Sequence, residues 1–198
     1  MTESPAILAV CTGNLCRSPV LERLLRLGFA QHWPAAVSAL PVGSAGTHAM
    51  VGHSIPAPLM TRLARVGGDA SRFASRQLVP ELIAHSELVI ALTRAHRAAI
   101  VEMHPRAVRV TFTLRELARL AAALPPGDTA PLEPRDRLVA FVAALGAVRG
   151  SAAQVEPSDD DIIDPYRGSD ARYQEAWTQL VAGTSAFMRA IVPSEAAA

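Results

Sequence analysis

A cysteine and an arginine enclose a short polar loop near the start of the chain. Cys11 is followed by Thr-Gly-Asn-Leu-Cys and then by Arg17, which precedes Ser18 and Pro19. A tight loop of this length lets backbone N–H groups converge on one point, where they bind a tetrahedral anion with the N-terminus of a following helix. The same positive field favours the nucleophilic thiolate, so we predict that Cys11 is ionised at neutral pH. Arg17 adds a planar guanidinium that binds two oxygens of a phosphoryl group at once.

The residues between Cys11 and Arg17, together with Ser18, are predicted to belong to a phosphate-binding loop. A lone cysteine after an apolar run is more often a small core residue, and that alternative applies to Cys11 taken by itself. Glycine and asparagine suit a tight loop, Ser-Pro suits a helix start, and the preceding apolar run suits a buried strand, so the whole string favours an anion-binding loop. Its predicted members besides Cys11 and Arg17 are Thr12, Gly13, Asn14, Leu15, Cys16 and Ser18.

A phosphoester reaction also needs a proton donor, because the leaving oxygen departs slowly unless it is protonated as its bond breaks. We assign this role to Asp164, whose neighbour Pro165 restricts it to an extended backbone that can aim the carboxyl group at the loop. An ordinary turn is the alternative interpretation of an Asp-Pro pair. The competing carboxylates at 159–161 form a short acidic run, which is more typical of a solvated loop edge.

Three segments of the chain resemble the low-molecular-weight protein tyrosine phosphatases. Val10–Pro19 is similar to the signature loop of that family, Ser44–Thr47 to its second loop, and Asp164–Tyr166 to its general-acid loop. Together these segments extend over nearly the whole chain. The resemblance implies a flavodoxin-like, three-layer α/β fold whose four-stranded parallel sheet has the order 2-1-3-4.

The resemblance also implies a two-step reaction that uses no metal and no cofactor. Cys11 attacks phosphorus while Asp164 protonates the leaving oxygen, and water activated by the same carboxylate then hydrolyses the phosphocysteine. Arg17 and the loop amides stabilise the equatorial oxygens in both steps. By the same resemblance, Asn14 and Ser44 hold the loop in shape through hydrogen bonds.

Two departures from the family pattern affect the expected substrate site. Many members carry an aromatic residue after Ser-Ala-Gly-Thr that stacks on the substrate ring, whereas this chain has His-Ala-Met-Val-Gly-His at that place. Met50 in this segment either packs on a substrate ring or is an ordinary core or exposed residue. Phe73 stands where a supporting histidine is often found, so support for the loop must come from elsewhere. We predict that Tyr166 and Met50 line the substrate pocket and that Trp33 is structural.

Cys16 admits two interpretations. It lies close enough to Cys11 in sequence for a reversible disulfide, which the family uses in some members to protect the nucleophile. It is equally consistent with a buried packing residue. The chain has only 2 cysteines, both in this loop, so no structural disulfide framework exists and a reducing cytoplasm is expected.

Composition limits the class of protein. A chain of 198 residues with 50% hydrophobic residues can bury the core of one domain, which we assign to residues 1–198. The formal charge of +1 provides no basic field for nucleic acid. The first residues lack a signal-peptide pattern, and no apolar run is long enough to cross a bilayer. We therefore expect a soluble cytoplasmic protein that acts on a phosphotyrosine protein or a small phosphomonoester, without nucleic-acid, membrane or metal partners.

Strands and helices are predicted to alternate along the first part of the chain. This alternation indicates a parallel sheet covered on both faces, with ligands at the carboxyl ends of the strands, where Cys11 falls. The predicted strands are Ala6–Val10, Val37–Val42, Glu87–Leu92 and Val108–Phe112, and the predicted helices are Pro19–Trp33, a helix capped by Ser54 that ends at Val66, and Arg94–His104.

The second part is predicted to be mainly helical. Thr113-Leu-Arg-Glu116 has the pattern of a capping box, a proline-containing loop covers about 125–134, and helices follow at Arg135–Val148 and Ser169–Ile191. Family members are shorter before their general-acid loop, so we interpret about 113–161 as a helical elaboration. Its apolar residues Leu138, Phe141, Val142 and Leu145 are expected to pack on the domain rather than on a partner.

The function indicated by these residues is a cysteine-dependent phosphomonoester hydrolase, most simply a protein tyrosine phosphatase. One alternative is an arsenate reductase of the same fold, although the version coupled to thioredoxin requires two further cysteines that this chain lacks. The other alternative is a non-catalytic phosphate-binding or phosphoprotein-binding protein. Pure binding requires neither a nucleophile nor an acid, so Cys11 and Asp164 together favour the enzyme.

Overall fold

A four-stranded parallel sheet lies at the centre of the computed structural model, which describes residues 4–124, 133–151 and 155–193. Strands β1 (Ile7–Cys11), β2 (Val42–Gly46), β3 (Leu88–Ala91) and β4 (Thr111–Thr113) are arranged in the order β2-β1-β3-β4. Every strand residue is buried, as is typical of a parallel sheet with both faces covered. The predicted α/β class and strand order are confirmed.

Helices cover both faces of this sheet. Alternate residues of β1 point to opposite sides, so that Ile7 and Ala9 pack in one core cluster while Leu8 and Val10 pack in the other. The helices are α1 (Arg17–His32), α2 (Ala36–Ala39), α3 (Ala57–Arg65), α4 (Pro80–Ala84), α5 (Arg94–Met103), α6 (Leu114–Ala123), α7 (Pro134–Val148) and α8 (Asp170–Ile191), with 3₁₀ helices at Pro105–Arg109 and Pro157–Asp160. The first cluster includes side chains from α1, α3, α6, α7 and α8, and the second from α4 and α5.

The helical second part packs against the same core as the first. Leu138, Phe141, Val142 and Leu145 of α7 are buried in the first cluster, and the rings of Phe141 and Phe187 meet edge to face at 5.8 Å. The predicted capping box at the start of α6 is also present, since Thr113 Oγ1 accepts a bond from the N–H of Glu116 and the Glu116 carboxylate accepts one from the N–H of Thr113. The interpretation of about 113–161 as an addition to the family fold stays a prediction.

Several predicted boundaries are wrong. Most of Val37–Val42 is not a strand, because α2 occupies part of it and β2 begins only at Val42. The sequence of β2 is Val-Gly-Ser-Ala-Gly, whose small residues are poor strand formers, but the nucleophile loop approaches so closely that a Cβ on Gly46 would lie 2.4 Å from the Thr12 carbonyl oxygen. The first two residues of the predicted fourth strand, Val108 and Arg109, lie in a 3₁₀ helix, and β4 begins at Thr111.

The predicted helix ends differ less from the structure than the predicted strand ends do. Helix α1 begins at Arg17 instead of Pro19, and α3 begins at Ala57 after Pro56, without a side-chain cap from Ser54. Most of the predicted proline-containing loop, residues 125–132, lies outside the described residues. Within the described ranges, no helix is both long enough and apolar enough to span a bilayer.

Candidate active site

The loop after β1 runs between a second loop and a pocket of about 190 Å³ that is lined by Cys11, Thr12, Gly13 and Arg17 among others. Three of its carbonyl groups, those of residues 11–13, accept backbone bonds of 2.9–3.1 Å from the N–H groups of Thr47, His48 and Met50. Because C=O and N–H point in opposite directions in a trans peptide, the N–H groups of these peptide units face away from the second loop.

Those N–H groups remain available to a ligand. Among the described residues, none of the N–H groups of residues 12–16 donates a hydrogen bond to the protein. The first turn of α1 follows directly and adds the unpaired N–H groups of a helix start. Buried N–H groups normally have partners, so this concentration of free donors beside Cys11 suits an anion.

Asn14 holds the loop in this shape. Its φ of 51° is left-handed, a conformation that asparagine tolerates better than most residues. Its side-chain Nδ2 donates to Ser18 and Ser44, both at 2.9 Å, and its Oδ1 accepts from the N–H of Arg76 at 2.9 Å. Ser44 donates in turn to the buried carboxylate of Glu22 at 2.6 Å. The sequence-predicted residues Asn14, Ser18 and Ser44 are therefore brought together in one buried network.

Ser18 connects this network to the sulfur atom. Cys11 Sγ lies 3.0 Å from Ser18 Oγ, and Cys11 is 2% exposed. Since Ser18 Oγ accepts a bond from Asn14, its own proton is free to point at the sulfur or at the Ala45 carbonyl oxygen 3.4 Å away. The contact with sulfur is the shorter one, so a Cys11 thiolate would receive a hydrogen bond at this position.

Arg17 extends across the same pocket. Its Nη1 donates to the Ile162 carbonyl oxygen at 3.2 Å, and its Nη2 forms a 2.8 Å ion pair with Asp164 Oδ2. Its Nε is buried and has no hydrogen-bond partner among the described residues. Leaving a buried guanidinium N–H unpaired is costly, and an oxygen of a bound anion would satisfy it.

Asp164 lies at the mouth of the pocket, with its side chain 48% exposed. Its other oxygen, Oδ1, accepts from the N–H of Tyr166 at 3.2 Å, and its carbonyl oxygen accepts from Arg172 at 2.6 Å. These bonds fix the backbone of the Asp-Pro-Tyr turn. The structure therefore brings the predicted acid and the predicted nucleophile to one pocket.

Asp160 and Asp161 of the acidic run before this turn have protein partners, so the interpretation as a solvated loop edge holds only for the exposed Asp159. Asp161 Oδ1 accepts a 2.7 Å bond from the N–H of Arg94 at the start of α5, and Asp160 pairs with Arg119 at 3.2 Å. Carboxylates are stabilised at a helix N-terminus. These contacts attach the segment before Asp164 to α5 and α6.

Met50 and Tyr166 form part of the rim of the pocket. Tyr166 Oη lies 3.5 Å from Met50 Sδ, and both residues line the cavity with His48 and Leu15. The two residues come from different loops, so a mixed thioether and phenol wall stands beside the position of Cys11. Trp33 and Phe73 lie elsewhere: Trp33 packs edge to face on Phe29, and Phe73 lies partly buried against the core.

Cys16 differs from Cys11 in its environment. It is 4% exposed, and burial, with smaller contributions from Cys11 and Asp164, raises the pKa of its thiol to about 12 despite the opposing charge of Arg17. Both cysteines are free thiols in this structure. Cys16 therefore carries a proton at neutral pH and is a poor nucleophile.

Sequence reasoning missed three residues that support the site: Glu22, Arg76 and His96. The His96 ring lies between two threonines, with Nε2 2.8 Å from Thr12 Oγ1 and Nδ1 2.8 Å from Thr93 Oγ1. Burial, assisted by the positive charge of Arg17, lowers the pKa of His96 to about 4, so the ring is neutral at physiological pH. The available signal was the position of Thr93 and His96 directly after a buried strand, at the sheet edge where ligands bind.

Comparison with known proteins gives a consistent group of relatives. Residues 6–122 match the sequence model of the family described as low molecular weight phosphotyrosine protein phosphatase. A low molecular weight protein-tyrosine-phosphatase, Ptp, from Acinetobacter johnsonii is 32% identical over 108 residues, which cover 54% of this chain and 70% of that protein. The protein-arginine-phosphatase of Geobacillus stearothermophilus is 36% identical over 110 residues, covering 56% of this chain and 69% of that protein. The solved structure of the YwlE arginine phosphatase from the same organism matches with a TM-score of 0.63 and 28% identity, covering 92% of this chain and 90% of that one.

Proposed function

The chain belongs to the low-molecular-weight protein tyrosine phosphatase family, and we propose that it hydrolyses protein phosphomonoesters through a phosphocysteine at Cys11. The observation that carries this proposal is the placement of Cys11 Sγ beside a loop whose N–H groups have no partners among the described residues, with Arg17 and Asp164 in the same pocket. A binding protein would need the N–H groups and Arg17, but it would have no use for a nucleophile with an acid opposite.

The proposed reaction has two steps. In the first, the Cys11 thiolate attacks phosphorus, the bond from phosphorus to the leaving oxygen breaks, and that oxygen takes the proton of Asp164. In the second, a water molecule gives a proton to the Asp164 carboxylate and attacks phosphorus. The S–P bond then breaks, and inorganic phosphate and the thiolate are released. Arg17 and the loop N–H groups stabilise the negative charge on the equatorial oxygens throughout.

We propose phosphotyrosine as the substrate group. The wall formed by Met50 and Tyr166 supports this choice, because a phenol ring entering the pocket would contact the thioether and the aromatic ring. This wall replaces the aromatic platform that is missing from the second loop. Peptide residues around the phosphotyrosine would lie on the exposed side of Tyr166, which is 39% exposed.

A second candidate substrate is phosphoarginine, and one observation favours it. The relative at 36% identity and the solved structure at 28% identity that were compared above are both described as the arginine phosphatase of Geobacillus stearothermophilus. In such a reaction the leaving atom is a guanidinium nitrogen, which takes the proton of the half-exposed Asp164 carboxylic acid as the N–P bond breaks. Measured preference between the two substrates decides between the candidates.

The deciding experiment compares wild type, Cys11→Ser and Asp164→Asn on p-nitrophenyl phosphate, a phosphotyrosine peptide and a phosphoarginine protein. We expect Cys11→Ser to abolish turnover while inorganic phosphate still binds. We expect Asp164→Asn to lower kcat by about two to four orders of magnitude for substrates with poor leaving groups. Turnover that survives Cys11→Ser would overturn the proposal, and turnover restricted to phosphoarginine would replace phosphotyrosine as the substrate.

The proposal includes a cytoplasmic location and no nucleic-acid or membrane partner. It is supported by the two free thiols, since the reaction requires Cys11 to stay reduced, and by the small formal charge of +1. Fractionation of cells that produce the full chain would test the location.

A further inference from the structure

His96 is a buried histidine that the proposed reaction does not use. It lies in the first turn of α5, after the end of β3, and is 6% exposed. Each of its two ring nitrogens lies 2.8 Å from a threonine hydroxyl group, Thr93 on one side and Thr12 on the other. Thr12 directly follows the nucleophile and lines the phosphate pocket, so the ring connects α5 to the loop that carries the chemistry.

The protons of this group can be assigned from its contacts. A neutral imidazole has one donor nitrogen and one acceptor nitrogen, and burial keeps this ring neutral at physiological pH. Thr93 Oγ1 already accepts the N–H of His96 at 3.2 Å, so the proton of Thr93 can be donated to Nδ1. The ring proton then lies on Nε2 and is donated to Thr12 Oγ1. Consequently the Thr12 hydroxyl proton remains free.

The other tautomer places the unpaired proton on Thr93 instead of Thr12. If Nδ1 carried the ring proton, Thr93 Oγ1 would accept twice, and the Thr93 proton would have no acceptor among the described residues. The Thr12 proton would then be used on Nε2. Each arrangement leaves one hydroxyl proton unpaired within the group, and only the first leaves it on Thr12, the residue that lines the pocket where a ligand can accept it.

We propose that His96 is a positioning residue that holds Thr12 so that its hydroxyl group donates a hydrogen bond to an oxygen of the phosphoryl group bound beside Cys11. This proposal rests on the proposed function, because it assigns a further donor to the same phosphate site. Thr12 touches the substrate, whereas His96 acts only through Thr12. The side chain of Thr12 thereby adds a donor to those of the loop amides and Arg17.

The experiment is a double-mutant cycle between the two residues in the full-length protein. Thr12→Val removes the hydroxyl group with little change of shape, and His96→Ala removes the ring. We expect each single variant to lower kcat/KM for p-nitrophenyl phosphate, and to weaken the binding of inorganic phosphate, by about 10-fold, the effect of one lost donor to a charged group. We expect His96→Ala to cause less than about 2-fold further loss in the Thr12→Val background.

Two further variants separate positioning from simple support of the fold. His96→Gln places an amide N–H near the position of Nε2, so we expect it to recover part of the loss, whereas Thr12→Ser should retain most of the wild-type activity. Thr113→Val is the matched control, because Thr113 caps α6 as Thr93 caps α5 but does not contact the loop. It should lower Tm and leave kcat/KM unchanged.

Three outcomes would overturn the proposal: losses that multiply in the double variant, a His96→Ala variant that lowers only Tm, or phosphate binding that Thr12→Val does not affect. If His96→Ala does not fold, the same cycle with His96→Leu, which fills the space of the ring but has no donor, decides. Phosphate binding by isothermal titration calorimetry keeps the test separate from the proposed function. If the wild-type protein binds phosphate but has no turnover, the proposed phosphatase activity is contradicted. The coupling between Thr12 and His96 is then measured by phosphate binding alone.

Discussion

The guanidinium of Arg17 and the carboxylate of Asp164 form an ion pair, with Nη2 and Oδ2 2.8 Å apart. Arg17 is almost completely buried in this pair, whereas half of the Asp164 side chain is exposed. Arg17, which we propose binds the phosphoryl group, is therefore paired in this structure with Asp164, the proposed general acid. A phosphoryl group that binds to Arg17 competes with Asp164 for the same cation, so substrate binding weakens this ion pair.

Removing the charge of Asp164 should therefore have opposite effects on binding and on catalysis. In Asp164→Asn, Arg17 loses its anionic competitor, and we expect inorganic phosphate to bind about 3-fold to 10-fold more tightly, although kcat falls. Isothermal titration calorimetry and steady-state kinetics on the same preparation measure the two effects. Weaker phosphate binding in this variant would contradict competition for Arg17. Asp159→Asn, in the exposed part of the acidic run, is the control and should change neither quantity.

The loop depends on both the backbone conformation and the side chain of Asn14. Asn14→Gly keeps a residue that accepts φ near 51° but removes the three side-chain bonds, whereas Asn14→Ala also introduces backbone strain. We expect Asn14→Gly to lower kcat/KM by about 10-fold to 100-fold, and Asn14→Ala to lower Tm further. Equal Tm values for the two variants would show that the left-handed backbone costs nothing here.

Alkylation distinguishes the two cysteines. Burial raises the pKa of Cys16 to about 12, so its thiol stays protonated at neutral pH and iodoacetamide should modify Cys11 first. We expect Cys11→Ser to resist alkylation at pH 7 until it is unfolded, and Cys16→Ser to react as wild type does. Mass spectrometry of the intact proteins over time measures both rates. Rapid modification of the Cys11→Ser variant would contradict the assignment of Cys16 as a buried thiol.

His96 predicts a dependence of stability on pH. Burial and the charge of Arg17 lower its pKa in the folded state from 6.5 to about 4, although Asp164 and Asp161 oppose this shift. Between these values the unfolded chain binds more protons than the folded one, so the free energy of unfolding should fall as the pH drops from 6.5 to about 4. The contribution of this residue is up to about 3 kcal/mol.

Urea unfolding at several pH values, on wild type and His96→Gln, measures this contribution. Glutamine does not titrate, so the difference in free energy of unfolding between the two proteins should become smaller as the pH falls below 6.5. A difference that is constant from pH 7 to pH 4 would show that His96 titrates equally in both states.

The rim of the pocket should influence large substrates more than small ones. Tyr166→Ala removes one side of the wall next to Met50, and we expect KM for a phosphotyrosine peptide to rise by about 10-fold. Tyr166→Phe keeps the ring and loses only the contact of the hydroxyl group with Met50 Sδ, so it should change KM by less than about 2-fold. An unchanged KM in Tyr166→Ala would indicate that the peptide approaches from another side.

The amino-acid sequence by itself determined the nucleophile loop and the class of fold. Cys11, Asn14, Arg17 and Ser18 lie within one short stretch, so local backbone geometry decides how they face each other, and the alternation of buried strands with helices restricts the sheet to a parallel one. The family resemblance added the strand order. Local patterns did not reveal the start of β2, because its small residues are poor strand formers, although packing requires glycine against Arg76 at position 43 and against the nucleophile loop at position 46.

Only the tertiary structure decided how distant segments support that loop. Thr12 and His96 are 84 residues apart in sequence, and nothing in either local pattern indicates that they form a hydrogen bond. The same holds for the hydrogen bond from the N–H of Arg94, at the start of α5, to the Asp161 carboxylate, and for the ion pair between Arg17 and Asp164. The physical reason is that such contacts depend on which strand and helix ends meet at the sheet edge, and packing of the whole chain sets that arrangement.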